Sequence, residues 1–174
     1  AAVDLGFLYV DTANDINYGF TIRNLGFQIK PYETTNEKLP LAIDAGISQL
    51  MENVPIRWHV TFENLQQWNV GFSNPVRGET SIDGTQTQEK VSFVNNALRH
   101  VIFGVELFPK RAFNVRLGYN FRRGEELRVV DKRHFSGISV GFGLKMNRLK
   151  FNYSYSRYTL AANTSLFGLT LNLQ

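Results

Sequence analysis

The stretch LRHVIFGVELFPKRAFNVRLGYNFRRGEELRVVDKRHFSGISVGFGLKM (98–146) decides the fold. In it Phe113, Val115, Leu117, Tyr119 and Phe121 alternate with Asn114, Arg116, Gly118, Asn120 and Arg122. Ile138, Val140, Phe142 and Leu144 alternate in the same way with Ser139, Gly141, Gly143 and Lys145. A repeat of two places every apolar side chain on one face of a strand and every small or charged one on the other. The stretch therefore predicts strands over 98–108, 113–122 and 135–146, the first two joined by a tight turn at 109–112.

The same rhythm runs outward in both directions. Val3, Leu5, Phe7 and Tyr9 mark a strand over 2–10, and the Asx-rich DTAND (11–15) a tight reversal. Further strands are predicted over 16–29, with a shift of phase near Gly26 that suggests a bulge, and over 41–50, 56–65 and 149–158. A last strand carries Phe167, Leu169 and Leu171. The segment 31–40 is polar and bracketed by prolines, and 66–97 lacks sustained periodicity, save for a short helix around Val91–Leu98. The expectation is an all-β, antiparallel chain of nine strands.

Composition excludes several chemistries. With no Cys among 174 residues there is neither a disulfide framework nor a thiolate metal site. The net charge of +4 comes from basic residues spread over strand faces and loops, so no nucleic-acid partner is expected. No apolar run is long enough for a membrane helix. His59 reads as a hydrogen-bonding residue of the polar face, His100 as a polar anchor at a strand start and His134 as a loop residue. Glu125 and Glu126, beside Arg122 and Arg123, read as a charged loop and not as an acid–base pair. No metalloprotease, nucleophile-elbow or phosphate-loop motif occurs. No catalytic residue, cofactor or metal is expected.

Two solvents fit the alternation. In a soluble barrel or sandwich the apolar face is the core. In an outer-membrane barrel it meets lipid, and the polar face lines the lumen. Three patterns favour the membrane. The strands are long. Tyr9, Tyr18, Trp58, Phe108, Phe113, Phe121, Phe135, Tyr158 and Phe167 fall near strand ends, as interfacial aromatics do. Short connections (11–15, 51–55, 109–112, 146–148) alternate with long ones (30–40, 66–97, 122–134), as periplasmic turns alternate with extracellular loops. On this reading Arg23, Asp44, Arg57, His59, Glu63, Glu106, Arg116 and Lys145 form a lumen charge network. Arg77 and Glu79 in RGETS, with Arg122 and Arg123 in FRRGEE, offer an outward surface to lipopolysaccharide or a partner.

A resemblance adds to this. RHVIFGVEL (99–107), LGYN (117–120) followed by Arg122-Arg123, GISVGFGLK (137–145), FNY (151–153), YGFTIRNLGFQI (18–29) and LP (39–40) resemble the PorQ/PorV family of FadL-type outer-membrane barrels of the type IX secretion system. The likeness implies a location in the outer membrane and a non-enzymatic part in the surface attachment complex. There the partners are PorZ, PorU and PorV, and cargo is linked to anionic lipopolysaccharide. It also implies that residues 1–174 are one domain, the C-terminal part of a larger barrel, with 66–97 extracellular. An odd strand count does not close as a usual bacterial barrel, and the opening AAVDLGFLYV (1–10) is already strand-like. The alternatives are a FadL-like transporter of hydrophobic small molecules and a soluble β-barrel binding protein.

Overall fold

The computed structural model describes residues 1–28, 39–70, 79–80, 86–87, 92–126, 136–157 and 163–172. Nine strands form one antiparallel sheet: β1 (Ala2–Asp11), β2 (Ile16–Gly26), β3 (Ala42–Leu50), β4 (Ile56–Phe62), β7 (Val101–Leu107), β8 (Phe113–Asn120), β9 (Ile138–Met146), β10 (Leu149–Arg157) and β11 (Asn163–Leu171). They lie side by side in chain order, so every connection joins neighbours. Between β4 and β7, β5 (Glu79–Thr80) and β6 (Gln86–Thr87) make a separate ladder. Two short helices, α1 (Phe93–Leu98) and α2 (Phe121–Glu126), precede β7 and follow β8. The sheet is not closed; β1 and β11 are its edges.

Local chemistry accounts for the turns. At 11–15 the Asp11 carboxylate accepts the N–H groups of Ala13 (3.0 Å) and Asn14 (3.3 Å) and the Asn14 side-chain amide (2.7 Å). Residues Asn147 and Arg148 alone join β9 to β10, with Asn147 in the left-handed region. The expected bulge lies at Arg23–Asn24, just before the position the sequence suggested. Two residues there face Asp4 alone, and Asn24 takes φ 57° while its N–H donates to the Asp4 carboxylate (2.7 Å). The extra residue restores the phase, so Leu25 rejoins the apolar face opposite Val3.

Register sorts the faces across the whole sheet. Tyr9, Tyr18, Ile47, Val60, Phe103, Tyr119 and Ile138 form one continuous cross-strand row. Leu107, Val115, Phe142, Tyr153 and Phe167 form another. The opposite face holds rows of small and polar residues, such as Asn17, Ser48, His59, Gly104, Gly118, Ser139 and Ser156. The sheet curls towards this polar face. Lys110 reaches past the β3–β4 turn to Asp15 (3.7 Å), and Arg23 and Arg122, four strands apart, line one hollow.

Apolar burial is almost absent. Among the described residues only Leu50 and Val70 are buried hydrophobics. The apolar face stands open, with Phe7 66 %, Phe167 72 % and Leu169 69 % exposed. The other buried side chains are polar: Asp44, Asn96, Arg99, His100, Asn120 and Ser136.

Two sequence expectations are corrected. The strand predicted over 113–122 ends at Asn120, and Phe121–Glu126 is helical. Asn120 caps that helix, its side-chain oxygen accepting the Arg123 N–H (3.0 Å), and Arg122 pairs with Glu126 one turn on (2.9 Å). What read as a charged loop at Glu125 and Glu126 is thus part of α2. Phe167 sits in the middle of β11, not near an end.

Candidate functional site

The concave polar face is the candidate site, a lumen-like surface to which β3, β4, β7, β8, β9 and β10 each contribute polar groups. Glu106 on β7 is its centre. Register sets it directly between Arg57 on β4 and Arg116 on β8. Arg116 Nε donates to the Glu106 carboxylate at 3.1 Å, and Arg57 stands 3.7 Å from its other oxygen. The Glu106 side chain is only 14 % exposed, so the two guanidiniums supply the neutralisation that solvent would otherwise give. One carboxylate between two guanidiniums leaves the trio net positive.

Glycine shapes this surface. Arg116 faces Gly141 across the β8–β9 pair, and with no side chain there its Nη1 passes over to Asn152 on β10 (3.3 Å). The His59 ring lies against Gly104: a Cβ at that position would overlap the imidazole. Asn114 seats on Gly143 in the same manner. The hollow left above Gly118, Gly141 and Gly168 has a volume of about 400 Å³, and Arg116, Asn152, Ser139 and Ser154 contribute its polar groups.

A second group holds the end of the sheet where the long connections emerge. The Arg23 guanidinium pairs with Asp44, whose other oxygen accepts the Asn64 N–H (3.0 Å). Glu63 lies just past β4 and accepts from the Asn120 amide (3.4 Å). His100 is buried with carbonyl oxygens at both ring nitrogens, Glu63 O at 2.7 Å and Trp68 O at 3.0 Å. Trp68 stacks on His100 (5.7 Å) and packs against Phe93 of α1 (4.9 Å), and Asn96 also donates to the Trp68 carbonyl.

The expected charge network is realised in part. Arg23–Asp44 and Arg57–Glu106–Arg116 come together. Lys145 does not join them; it stands opposite Lys150 and pairs with no described carboxylate. His59 makes no hydrogen bond to a described residue; its ring packs against Gly104. His100 is more than a polar anchor, since it ties the foot of the 66–97 segment to the sheet.

Among the aromatics, Tyr9 and Tyr18 pair (6.1 Å) and, with Trp58, Phe108 and Phe113, lie towards the short-turn end. Phe121 lies at the other end, in a helix, edge-on to Tyr119 (4.9 Å). Phe135, Tyr158, His134 and Arg77 lie outside the described residues, and Glu79 is described only through its backbone pairing with Thr87. Sequence reasoning missed Asn120, Asn152, Trp68 and Asn96. Asn120 carried a readable signal, a cap residue one position before a helix.

Among the described residues no helix is long and apolar enough to cross a membrane, which says nothing of a β-barrel, and no cluster of metal-ligating side chains occurs. Comparison with protein-family models, with curated proteins and with solved structures finds no match to this chain.

Proposed function

We propose that this chain is part of the wall of an outer-membrane β-barrel that acts as a non-enzymatic scaffold. One observation carries the reading: nine strands present an open apolar face, while six of the eight buried side chains among the described residues are polar. In water such a face needs a second layer to cover it. In a bilayer, lipid covers it, and the polar face becomes a lumen in which Arg57 and Arg116 pair with Glu106. The connections sort largely as in such a barrel, with 12–15, 51–55, 108–112 and 147–148 at one end and 27–41, 63–100 and 121–137, together with the five-residue 158–162, at the other.

The role is the one implied by the sequence resemblance. The chain belongs, on this proposal, to the surface attachment machinery of the type IX secretion system, with PorZ, PorU and PorV as partners and lipopolysaccharide beside the long connections. The charged centre of the concave face speaks against a greasy transport channel, for an apolar ligand there would strip solvent from Glu106 and both arginines. The test is affinity isolation of the tagged full-length protein from native membranes. It is expected in the outer-membrane fraction together with other attachment proteins. Recovery from the soluble fraction, or from the outer membrane with none of those proteins, contradicts the proposal.

A further inference from the structure

The charges at the short-turn end are sorted by side. Asp11, Asp15 and Glu52 stand at the turns of β1–β4, and Lys110, Arg111, Lys145, Arg148 and Lys150 at the turns of β7–β10. Among the described residues of these turns, one ion pair, Lys110–Asp15, links the two groups. The other four cations are exposed, and none has a hydrogen bond or ion pair from its side chain to a described residue. They are also close together. Lys145 and Lys150 are direct cross-strand partners, Arg148 lies in the turn between them, and Arg111 precedes Ala112, whose carbonyl accepts the Lys145 N–H (2.6 Å). Like charges directly opposite on a sheet repel, and none of the described carboxylates offsets this one.

We propose that this basic corner docks an acidic polypeptide segment. Carboxylates of a polypeptide and phosphates of lipid headgroups are the two sources of matching charge. Placement favours the polypeptide. Lys145 and Lys150 lie on the concave face, and Leu144, Met146 and Leu149 beside them lie on the apolar one. A headgroup at the apolar side meets the wrong face of the strands. A segment running onto the concave face meets Lys145 and Lys150 along the strands and Arg148 and Arg111 at the rim, and its charge also accelerates encounter. The inference goes beyond the scaffold reading and holds whichever complex the protein joins.

The experiment uses full-length protein in detergent micelles and a short fluorescein-labelled Asp/Glu-rich peptide, with its Asn/Gln counterpart as control. Anisotropy is expected to show salt-sensitive binding of the acidic peptide alone. The variant K145Q/R148Q/K150Q is expected to bind about tenfold more weakly, since three exposed charge pairs at ~0.5 kcal/mol each sum to about one decade. Arg157→Gln, at the far end of β10, should bind as the parent does. Should the triple variant fail to fold, Lys150→Gln alone is expected to lose about twofold. Parent binding that ignores salt, or a triple variant that binds like the parent, overturns the proposal. So does a parent that ignores the peptide but binds phosphatidylglycerol vesicles through these three residues. A protein that proves soluble without detergent sinks the membrane reading yet leaves this titration to be decided on its own.

Discussion

At the scale of single residues, the concave face depends on side chains that occupy the space glycines leave. Replacing Gly104 by Ala pushes a methyl group into the His59 ring, an overpacking that costs roughly 1–3 kcal/mol. In a His59→Ala background the same replacement should be nearly neutral, so a double-mutant cycle read by denaturant unfolding in detergent should show coupling; strict additivity would mean that the ring does not rest there. Glu106→Gln leaves two guanidiniums facing each other. The expected loss is about 1–2 kcal/mol, kept modest because Arg116 is half exposed and partly screened by solvent. The Arg57, Glu106 and Arg116 trio was legible in the sequence because all three share one phase of the alternation. The fate of Lys145 was not. Phase assigns a residue to a face, but the partner depends on which residue of the neighbouring strand comes opposite, and that residue is Lys150.

At the scale of elements, alternation and turn chemistry revealed nearly every strand, and the errors gathered where one residue serves two elements. Asn120 continues the polar phase of β8 and also caps α2, and the phase alone favoured prolonging the strand to Arg122. Trp68 gave no periodic signal, since it belongs to the packed foot of a long connection. That foot should be sensitive to His100. His100→Ala removes the ring partner of two carbonyls and the stacking partner of Trp68, so local protection of 63–70 from hydrogen exchange is expected to fall by about 1–3 kcal/mol while the nine strands persist. On the opposite face, Leu117→Arg and Val140→Arg distinguish the two solvents. Both positions are more than two-fifths exposed, so in water an arginine is well tolerated. In a bilayer each should cost about 2–4 kcal/mol near mid-strand, measured by unfolding from lipid vesicles.

At the scale of the molecule, the nine strands make a curled, open sheet whose outer side is apolar and whose inner side is charged. Two free edges and an open apolar face are liabilities in water, where they recruit other chains. Chain order within the sheet and the sidedness of the connections could be read from the sequence, because neighbouring alternating strands joined by short turns pair antiparallel. Curl could not, since it comes from the summed twist of the strand backbones, which the alternation of side chains does not record. The most direct test uses β10, which has no glycine, in a chain that has no native cysteine. Single cysteines at 150, 152, 154 and 156 and at 151, 153 and 155 are fluorescently labelled in reconstituted full-length protein and exposed to a lipid-dissolved and a water-soluble quencher. The expected result is a repeat of two, with Phe151, Tyr153 and Tyr155 positions quenched from lipid and Lys150, Asn152, Ser154 and Ser156 positions quenched from water. Equal quenching from water at both sets, or an apolar set shielded from both quenchers as in a soluble core, would contradict the lipid-facing wall.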